Sequence, residues 1–135
     1  MATATGQYTY ALGRRKSATA RLRLNSGKGE FSINERTAEE YLDTSKYLMN
    51  RLLRAFHVLE LDPAKYKVSV RVSGGGHAGQ IDAISLALAK ALAELNEDFR
   101  GTLKKADLLG RDPREKERKK FGLRGARKQR QFTKR

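Results

Sequence analysis

The stretch YKVSVRVSGGGHAGQIDAISLALAKALAEL, residues 66–95, decides the fold that we predict for this chain. Its first residues alternate apolar and polar side chains, and this period of two predicts a strand with one buried face. Gly74, Gly75 and Gly76 then interrupt the pattern. Apolar residues return at the spacing of one helix face between Ile81 and Leu95. The stretch therefore predicts a strand, a tight turn and a long helix, in that order.

Three shorter segments before this stretch also alternate at the strand period. They are residues 8–12, 18–24 and 31–33, and the turn-forming run Asn25-Ser26-Gly27-Lys28-Gly29 separates the last two. We expect these segments to form an antiparallel set of short strands that shares one apolar face.

Helical patterns fill the interval before the fourth strand. Thr37-Ala38-Glu39-Glu40 matches a capping box and predicts the start of a short helix. A second helix is predicted over residues 48–59, ending before Asp62-Pro63, and a last short helix near residues 102–109. The predicted fold class is α+β, a two-layer domain in which a sheet of about four strands carries helices on one face.

Positive charge is concentrated at the C-terminal end. Residues 101–135 hold 14 Lys or Arg and four acids, whereas the first 100 residues hold 15 and 11. From residue 118 onward nine cations occur without one acid, and Leu123 is the only Leu, Ile or Val after Gly110. Such a segment repels itself and cannot bury enough apolar surface to order itself. We predict an extended basic tail whose partner is a polyanion, with nucleic acid the strongest candidate.

The composition excludes several functional classes. The chain has no cysteine, which excludes disulfides, thiolate metal sites and cysteine nucleophiles. Residues 1–6 lack the pattern of a signal peptide, and charge interrupts every apolar run well before a membrane-spanning length. We expect a soluble, cytoplasmic protein with no membrane partner and no homo-oligomer.

The glycine run contains a misleading motif. Gly74, Gly76 and Gly79 satisfy the G-x-G-x-x-G spacing of a dinucleotide fingerprint between a strand and a helix. A nucleotide-binding half needs another parallel strand after the helix, and here the basic tail follows, so this interpretation is weak. Two others remain open. The glycines form a tight turn, or their main-chain N–H groups at a helix start approach an RNA phosphate.

A basic run, Gly13-Arg14-Arg15-Lys16-Ser17, separates the first two predicted strands. It is either a solvated turn or a phosphate contact. Arg21, Arg23 and Arg71 project from the polar strand faces, where they either continue this surface or are simply solvated.

No pattern of catalytic or metal-binding residues is present. His57 and His77 are far apart and lack a third ligand at metal spacing, and we expect His57 to be a packed core histidine. No nucleophile motif surrounds any serine. We therefore predict no enzyme, no cofactor and no metal site.

The tail also contains two aromatic residues, Phe121 and Phe132. They could stack on exposed bases, or they could anchor the tail on a neighbouring protein. Charge alone does not separate RNA from DNA as the partner.

Several separated motifs occur in one order along the chain. They are Gly13-Arg14-Arg15-Lys16-Ser17, Val72-Ser73-Gly74-Gly75-Gly76 with Gly79-Gln80, Arg111-Asp112, Glu117-Arg118-Lys119-Lys120-Phe121-Gly122-Leu123-Arg124, and Gln131-Phe132-Thr133-Lys134-Arg135. Together they closely resemble the bacterial form of small-subunit ribosomal protein nine, over nearly the whole chain from Tyr8 onward.

The resemblance implies a fold and a set of partners. The fold is that of the second domain of ribosomal protein five, with a left-handed βαβ crossover. The partners are small-subunit rRNA, the peptidyl-site tRNA and neighbouring ribosomal proteins of the subunit head. We expect the chain to be organised as a disordered N-terminus (residues 1–6), a globular RNA-binding domain (residues 7–109) and an extended basic tail (residues 110–135).

Site residues follow from the resemblance and from the basic runs together. The expected rRNA-binding residues are Arg14, Arg15, Lys16, Gly74, Gly75, Gly76, Arg118, Lys119, Lys120, Arg124, Arg127, Lys128 and Arg130. The resemblance implies that Lys134 and Arg135 contact tRNA.

Overall fold

Five strands form one mixed sheet in a computed structural model that describes residues 7–134. The strands are β1 (Thr9–Arg15), β2 (Ala18–Ser26), β3 (Phe31–Ile33), β4 (Arg36–Thr37) and β5 (Tyr66–Ser73). Their spatial order is β1-β2-β5-β3-β4, and β3 pairs with β5 in parallel while the other neighbours are antiparallel. The α+β class is confirmed, with one strand more than the four that the sequence predicts.

The position of β3 differs from the prediction. The chain does reverse between β2 and β3, but β5 lies between them and pairs with both. The connecting loop runs past the start of β5, where the Gly27 amide donates to the Lys65 carbonyl oxygen at 3.0 Å. A turn motif specifies that the chain reverses, but not how many strands separate the two arms.

The missed strand is β4. A two-residue turn joins it to β3, and both turn residues are left-handed, with φ of 49° at Asn34 and 68° at Glu35, as a type I′ hairpin requires. The Asn34 side chain extends the pairing to β5, since its Oδ1 accepts from the Val72 amide at 2.9 Å. A strand of two residues contains no periodic signal that a sequence pattern could reveal.

Five α-helices and one 3₁₀ turn complete the domain. They are α1 (Ala38–Tyr41), α2 (Lys46–Leu52), α3 (Arg54–Val58), the 3₁₀ turn Pro63–Lys65, α4 (His77–Leu95) and α5 (Asp98–Lys105). The predicted helix start is confirmed, because Thr37 Oγ1 accepts from the Glu40 amide at 3.3 Å and so caps α1. The single helix predicted over residues 48–59 is two helices, since Leu53, with ψ of 3°, interrupts it.

The last helix begins earlier than predicted. Asn96 Oδ1 accepts a hydrogen bond from the Asp98 amide at 3.1 Å and starts α5 there. The helix ends at Lys105, and Asp107 follows with a left-handed φ of 57°. Asn side chains commonly accept such a bond at a helix start, so Asn96 is the local signal for the earlier beginning.

The core lies between the sheet and the helices. Its largest fully buried side chains are Phe56, Leu22, Ile33, Leu42, Leu52, Ile81, Ile84, Leu88, Leu92 and Leu103. Helix α4 packs so closely on β1 that a methyl group on Gly13 would overlap the Ala83 carbonyl oxygen and lie 2.8 Å from the Ala87 amide nitrogen. His57 is exposed on α3, so its predicted place in the core is wrong: its neighbours Ala55 and Phe56 take the inward face instead.

The connection from β3 to β5 through α1, α2 and α3 links two parallel neighbours and is therefore a βαβ crossover. Its left-handedness stays a prediction. The arrangement of sheet and helices is consistent with the second domain of ribosomal protein five. No helix among the described residues is long and apolar enough to cross a membrane.

After Gly110 the described chain, as far as residue 134, contains no helix or strand. The disordered N-terminus expected for residues 1–6 lies outside the described residues.

Candidate nucleic-acid interface

The basic turn (residues 13–17) and the glycine loop (residues 74–76) lie against each other, although they are about 60 residues apart in sequence. Gly74 and Gly75 are both left-handed, with φ of 74° and 67°. A Cβ on Gly74 would lie 2.5 Å from the Ser17 carbonyl oxygen, and one on Gly75 would lie 3.1 Å from the Ala18 Cβ. Glycine is required here by backbone conformation and by close approach, so the tight-turn interpretation holds.

A buried glutamine fixes this loop. Gln80, on the first turn of α4, donates from Nε2 to the Gly74 carbonyl oxygen at 3.1 Å. Its Oε1 accepts from the Tyr41 hydroxyl at 2.5 Å, which ties the loop to α1. Gln80 is the one polar side chain among the buried residues of the described chain, and both ends of its amide are paired. The sequence patterns gave no indication of this role.

The start of α4 is open to solvent. Gly76 precedes the helix in an extended conformation, and no side chain caps the helix N-terminus. A methyl group on Gly76 would meet no atom within 4 Å. The first N–H groups of a helix have no partner within the helix and carry its positive end. The loop can therefore be a required turn and also present main-chain donors to an anion, and the phosphate contact stays a prediction.

Arg15 joins the end of β1 to the start of the tail. Its side chain is only 15% exposed and lies 3.7 Å from Asp82 of α4 and 3.3 Å from Asp112 (both N–O distances). It also donates to the Arg114 carbonyl oxygen at 2.6 Å. The guanidinium is thus surrounded by oxygens of its own chain, whereas the flanking Arg14 and Lys16 are exposed. We call Arg15, Asp82, Asp112 and Arg114 the tail anchor.

The carboxylate of Asp112 is held ionised by its neighbours. Arg114 contacts it from the side chain, with Nε 3.0 Å from Oδ1 and Nη2 2.8 Å from Oδ2, and also donates from its main-chain amide at 3.0 Å. These hydrogen bonds, followed by the charges of Arg114 and Arg15, hold the pKa of Asp112 well below its usual range. Protonation of Asp112 therefore cannot release the tail near neutral pH.

A basic cleft of about 410 Å³ surrounds the tail anchor. Six arginines and three aspartates line it, so positive charge predominates. The arginines are Arg14, Arg15, Arg51, Arg54, Arg111 and Arg114. Of these, Arg51 forms an ion pair with Asp82. The sequence does not predict that Arg51, Arg54, Arg111 and Arg114 share one site, because only the folding of α2 and α3 beside the tail brings them together.

The cations of the tail are mostly exposed. Arg118, Lys119, Arg124, Arg127, Lys128, Arg130 and Lys134 are in this class, and Lys120 is half-buried. One acid interrupts the pattern, since Glu117 pairs with Lys120 and with Arg127, the latter at 3.1 Å. Arg135, the other residue expected to contact tRNA, lies outside the described residues.

This arrangement can bind anions but does not suit nucleotide chemistry or a metal. The helix that follows the glycine loop leads into α5, and no parallel strand comes after it within residues 7–134, so the dinucleotide interpretation fails. No three His, Asp or Glu side chains with metal-binding geometry cluster in that part of the chain. The activity that remains is anion binding, by a set of arginines, lysines and main-chain N–H donors that face solvent.

The model of the family described as Ribosomal protein S9/S16 matches residues 13–135 of the chain. Three curated relatives, each named small ribosomal subunit protein uS9, illustrate the similarity. The Mycoplasma mobile protein is 52% identical, over 92% of this chain and 94% of its own length. The Gloeobacter violaceus protein is 48% identical over 93% and 94%. The Sorangium cellulosum protein is 43% identical over 94% and 96%.

Proposed function

Because this chain belongs to the Ribosomal protein S9/S16 family and is accordingly a structural, non-enzymatic constituent of the small ribosomal subunit, we propose that it binds small-subunit rRNA with both its domain and its tail. The observation that carries the proposal is the extent of the family match. It runs from the basic turn through the whole tail, so it includes both the tail anchor and the acid-free run of cations.

The domain supplies the fixed part of the interface. Arg14 and Lys16 are exposed on the basic turn that packs against the glycine loop, and the basic cleft lies beside the tail anchor. Arginine can bind phosphate with two parallel hydrogen bonds, and main-chain donors at a helix start suit a phosphate oxygen. These groups would position the domain on RNA backbone without reading base sequence.

The tail supplies the part of the interface that RNA must order. Its nine cations from residue 118 onward repel one another in the free chain, and phosphates remove that repulsion. Each neutralised phosphate releases condensed counterions, which makes binding favourable and dependent on salt. Phe121 and Phe132 are exposed almost completely and provide contacts for bases or for neighbouring proteins of the subunit head.

The tip of the tail would reach the peptidyl-site tRNA. Lys134 is exposed, and together with Arg135 it ends the chain with two positive charges. A charged tip can hold a tRNA phosphate irrespective of the tRNA sequence, as a site used by every tRNA requires.

The tip is tested in small subunits that carry Lys134→Gln and Arg135→Gln, which preserve the chain length. We expect weaker tRNA binding at the peptidyl site, measured by filter binding with deacylated tRNA. The control is Lys104→Gln with Lys105→Gln, which removes the same charge from exposed positions of α5. Equal tRNA affinity in the two kinds of subunit would rule out a tRNA contact at the tip.

A further inference from the structure

The face of the sheet opposite the helices is exposed and basic. Its central strands present Arg21 and Arg23 from β2, and Ser69 and Arg71 from β5, all of them exposed. Tyr10 of β1 lies beside them, in register with Arg23. A shallow depression of about 200 Å³ is lined by these five residues. We call this set the open sheet face, and it is separate from the tail anchor and the glycine loop.

Two arginines of the open sheet face are direct cross-strand partners. Arg21 of β2 pairs in register with Arg71 of β5. Like charges placed directly opposite each other destabilise a sheet. Acidic side chains neutralise these two arginines only weakly. Arg71 lies 3.9 Å from Glu35, which is 87% exposed, and Arg21 forms no ion pair within residues 7–134. Folding therefore places two cations together that an anion between them would stabilise.

The same face also presents flat rings. Tyr8 and Tyr10 are each about half exposed, although they are large side chains. The Arg23 guanidinium lies over the Tyr8 ring, 5.0 Å from its centroid, which orders one edge of the face. No aromatic partner covers the Tyr10 ring within the described chain. Exposed aromatic rings next to arginines are the usual combination for stacking unpaired bases.

We propose that the open sheet face binds a single-stranded segment of RNA. One phosphate lies between Arg21 and Arg71, and a neighbouring base stacks on Tyr10. This inference rests on the proposed rRNA-binding function and adds a surface that neither the tail nor the glycine loop includes. An acidic protein could neutralise the arginine pair, but it would leave the exposed tyrosine rings without a flat partner, so RNA accounts for more of the face.

The test compares two full-length double variants that lose the same net charge. Arg21→Gln with Arg71→Gln changes the open sheet face, and Lys104→Gln with Lys105→Gln changes α5. Binding of a fluorescein-labelled oligouridylate is followed by anisotropy at several salt concentrations. We expect the sheet variant to bind about tenfold more weakly than the α5 variant and to have a shallower salt dependence, by about 0.7 in the logarithmic slope for each lost phosphate contact.

A second variant tests the stacking contact, and thermal unfolding provides a control for folding. Tyr10→Ala should weaken oligouridylate binding at least about fivefold without changing the salt slope, since a stacked base contributes about 1 to 3 kcal/mol. The sheet variant should unfold at the same temperature as the unmodified chain or a higher one, because it removes a like-charge pair. Photocrosslinking with 4-thiouridine RNA should place crosslinks at Tyr8 or Tyr10.

Three results would overturn the inference. The first is equal RNA binding by the sheet and α5 variants, which leaves RNA binding by the tail intact. The second is a sheet variant that no longer binds a labelled polyglutamate probe but binds RNA as the unmodified chain does. This result would assign the face to an acidic protein. The third is an unmodified chain that fails to bind RNA at all, and this result alone would also contradict the proposed function.

Discussion

Arg15 Nη1 donates a hydrogen bond of 2.6 Å to the main-chain carbonyl oxygen of Arg114, a residue 99 positions later in the chain. The end of β1 thereby determines where the tail leaves the domain. A basic tail without such a contact could leave the last helix in any direction. The anchored start instead fixes one end of the tail beside the basic cleft, while its distal cations remain exposed.

Replacing Arg15 by Met should release the start of the tail. The side chain loses its hydrogen bond to Arg114 and its ion pairs with Asp82 and Asp112, and we expect a loss of about 1 to 2 kcal/mol in the free energy of unfolding. Amide hydrogen exchange at Arg114, whose N–H donates to Asp112, should become faster. Arg14→Met is the matched control, because Arg14 is exposed. Equal exchange rates in both variants would show that Arg15 does not hold the tail.

Asp112 should remain ionised in acid. Its folded-state pKa is lowered, so its stabilising contribution is complete above the unfolded pKa of about 4 and is lost as the pH falls through the lower folded value. Carbon-13 NMR of the carboxyl group measures this titration directly. Arg114→Gln should move the pKa of Asp112 part of the way back to its ordinary value, since the side-chain hydrogen bonds of Arg114 are the largest cause and the main-chain amide of residue 114 still donates. Arg15→Gln should move it less, and the reverse order would contradict this assignment.

Gly13→Ala should destabilise the domain by about 2 to 3 kcal/mol, because the added methyl group overlaps the main chain of α4 and the helix must shift. Gly101→Ala provides the opposite case. It lies within α5 with no atom within 4 Å of an added Cβ, so the change should stabilise the helix by up to about 1 kcal/mol. Denaturant unfolding measures both variants. The glycine of the basic turn is then explained by packing rather than by RNA binding.

The Tyr41 hydroxyl and the Gln80 amide should be energetically coupled. Tyr41→Phe removes the hydroxyl donor, and Gln80→Met removes the amide group that bonds both Tyr41 and Gly74. The effects of the two changes should therefore not add. A double-mutant cycle from unfolding measurements should give a coupling of about 1 kcal/mol. Additive effects would mean that the hydrogen bond from Tyr41 does not hold the glycine loop.

Glu117→Gln should strengthen RNA binding. It frees Lys120 and Arg127 from their pairs with the acid, and exposed ion pairs are worth up to about 1 kcal/mol, so the gain should be no more than about fivefold. Glu115→Gln raises the net charge equally, and Glu115 makes no ion pair within residues 7–134. Filter binding to an rRNA fragment should show a larger gain for Glu117→Gln. If the gains are equal, only net charge matters.

Periodicity was enough to predict the elements that are long and amphipathic. Strand β5 and helix α4 follow directly from the opening stretch, since a period of two or of 3.6 leaves only one face that can be buried. The same reasoning missed or misassigned shorter elements. β4 is too short to show a period, Leu53 interrupts a helix without a glycine or proline, and His57 falls on the exposed side of α3.

The candidate site likewise has parts that the sequence reveals and contacts that it does not. The basic turn, the glycine loop and the tail cations are visible as runs of one residue type, so the sequence identifies them one by one. Their contacts are not visible, because Ser17 meets Gly74, and Arg15 meets Arg114, only after distant segments have folded together. Gln80, Asp82 and Arg51 resemble ordinary helix residues until that point.

The sequence by itself determined the α+β class and the basic tail, and it predicted a polyanionic partner, because hydrophobic periodicity and charge are local properties of the chain. Only the tertiary structure decided that β5 lies between β2 and β3, that Arg15 holds the start of the tail, and that Arg21 faces Arg71 on the open sheet face. These are relations between residues far apart in sequence, and they depend on which strands pair and how closely α4 packs. No local pattern of residues contains that information.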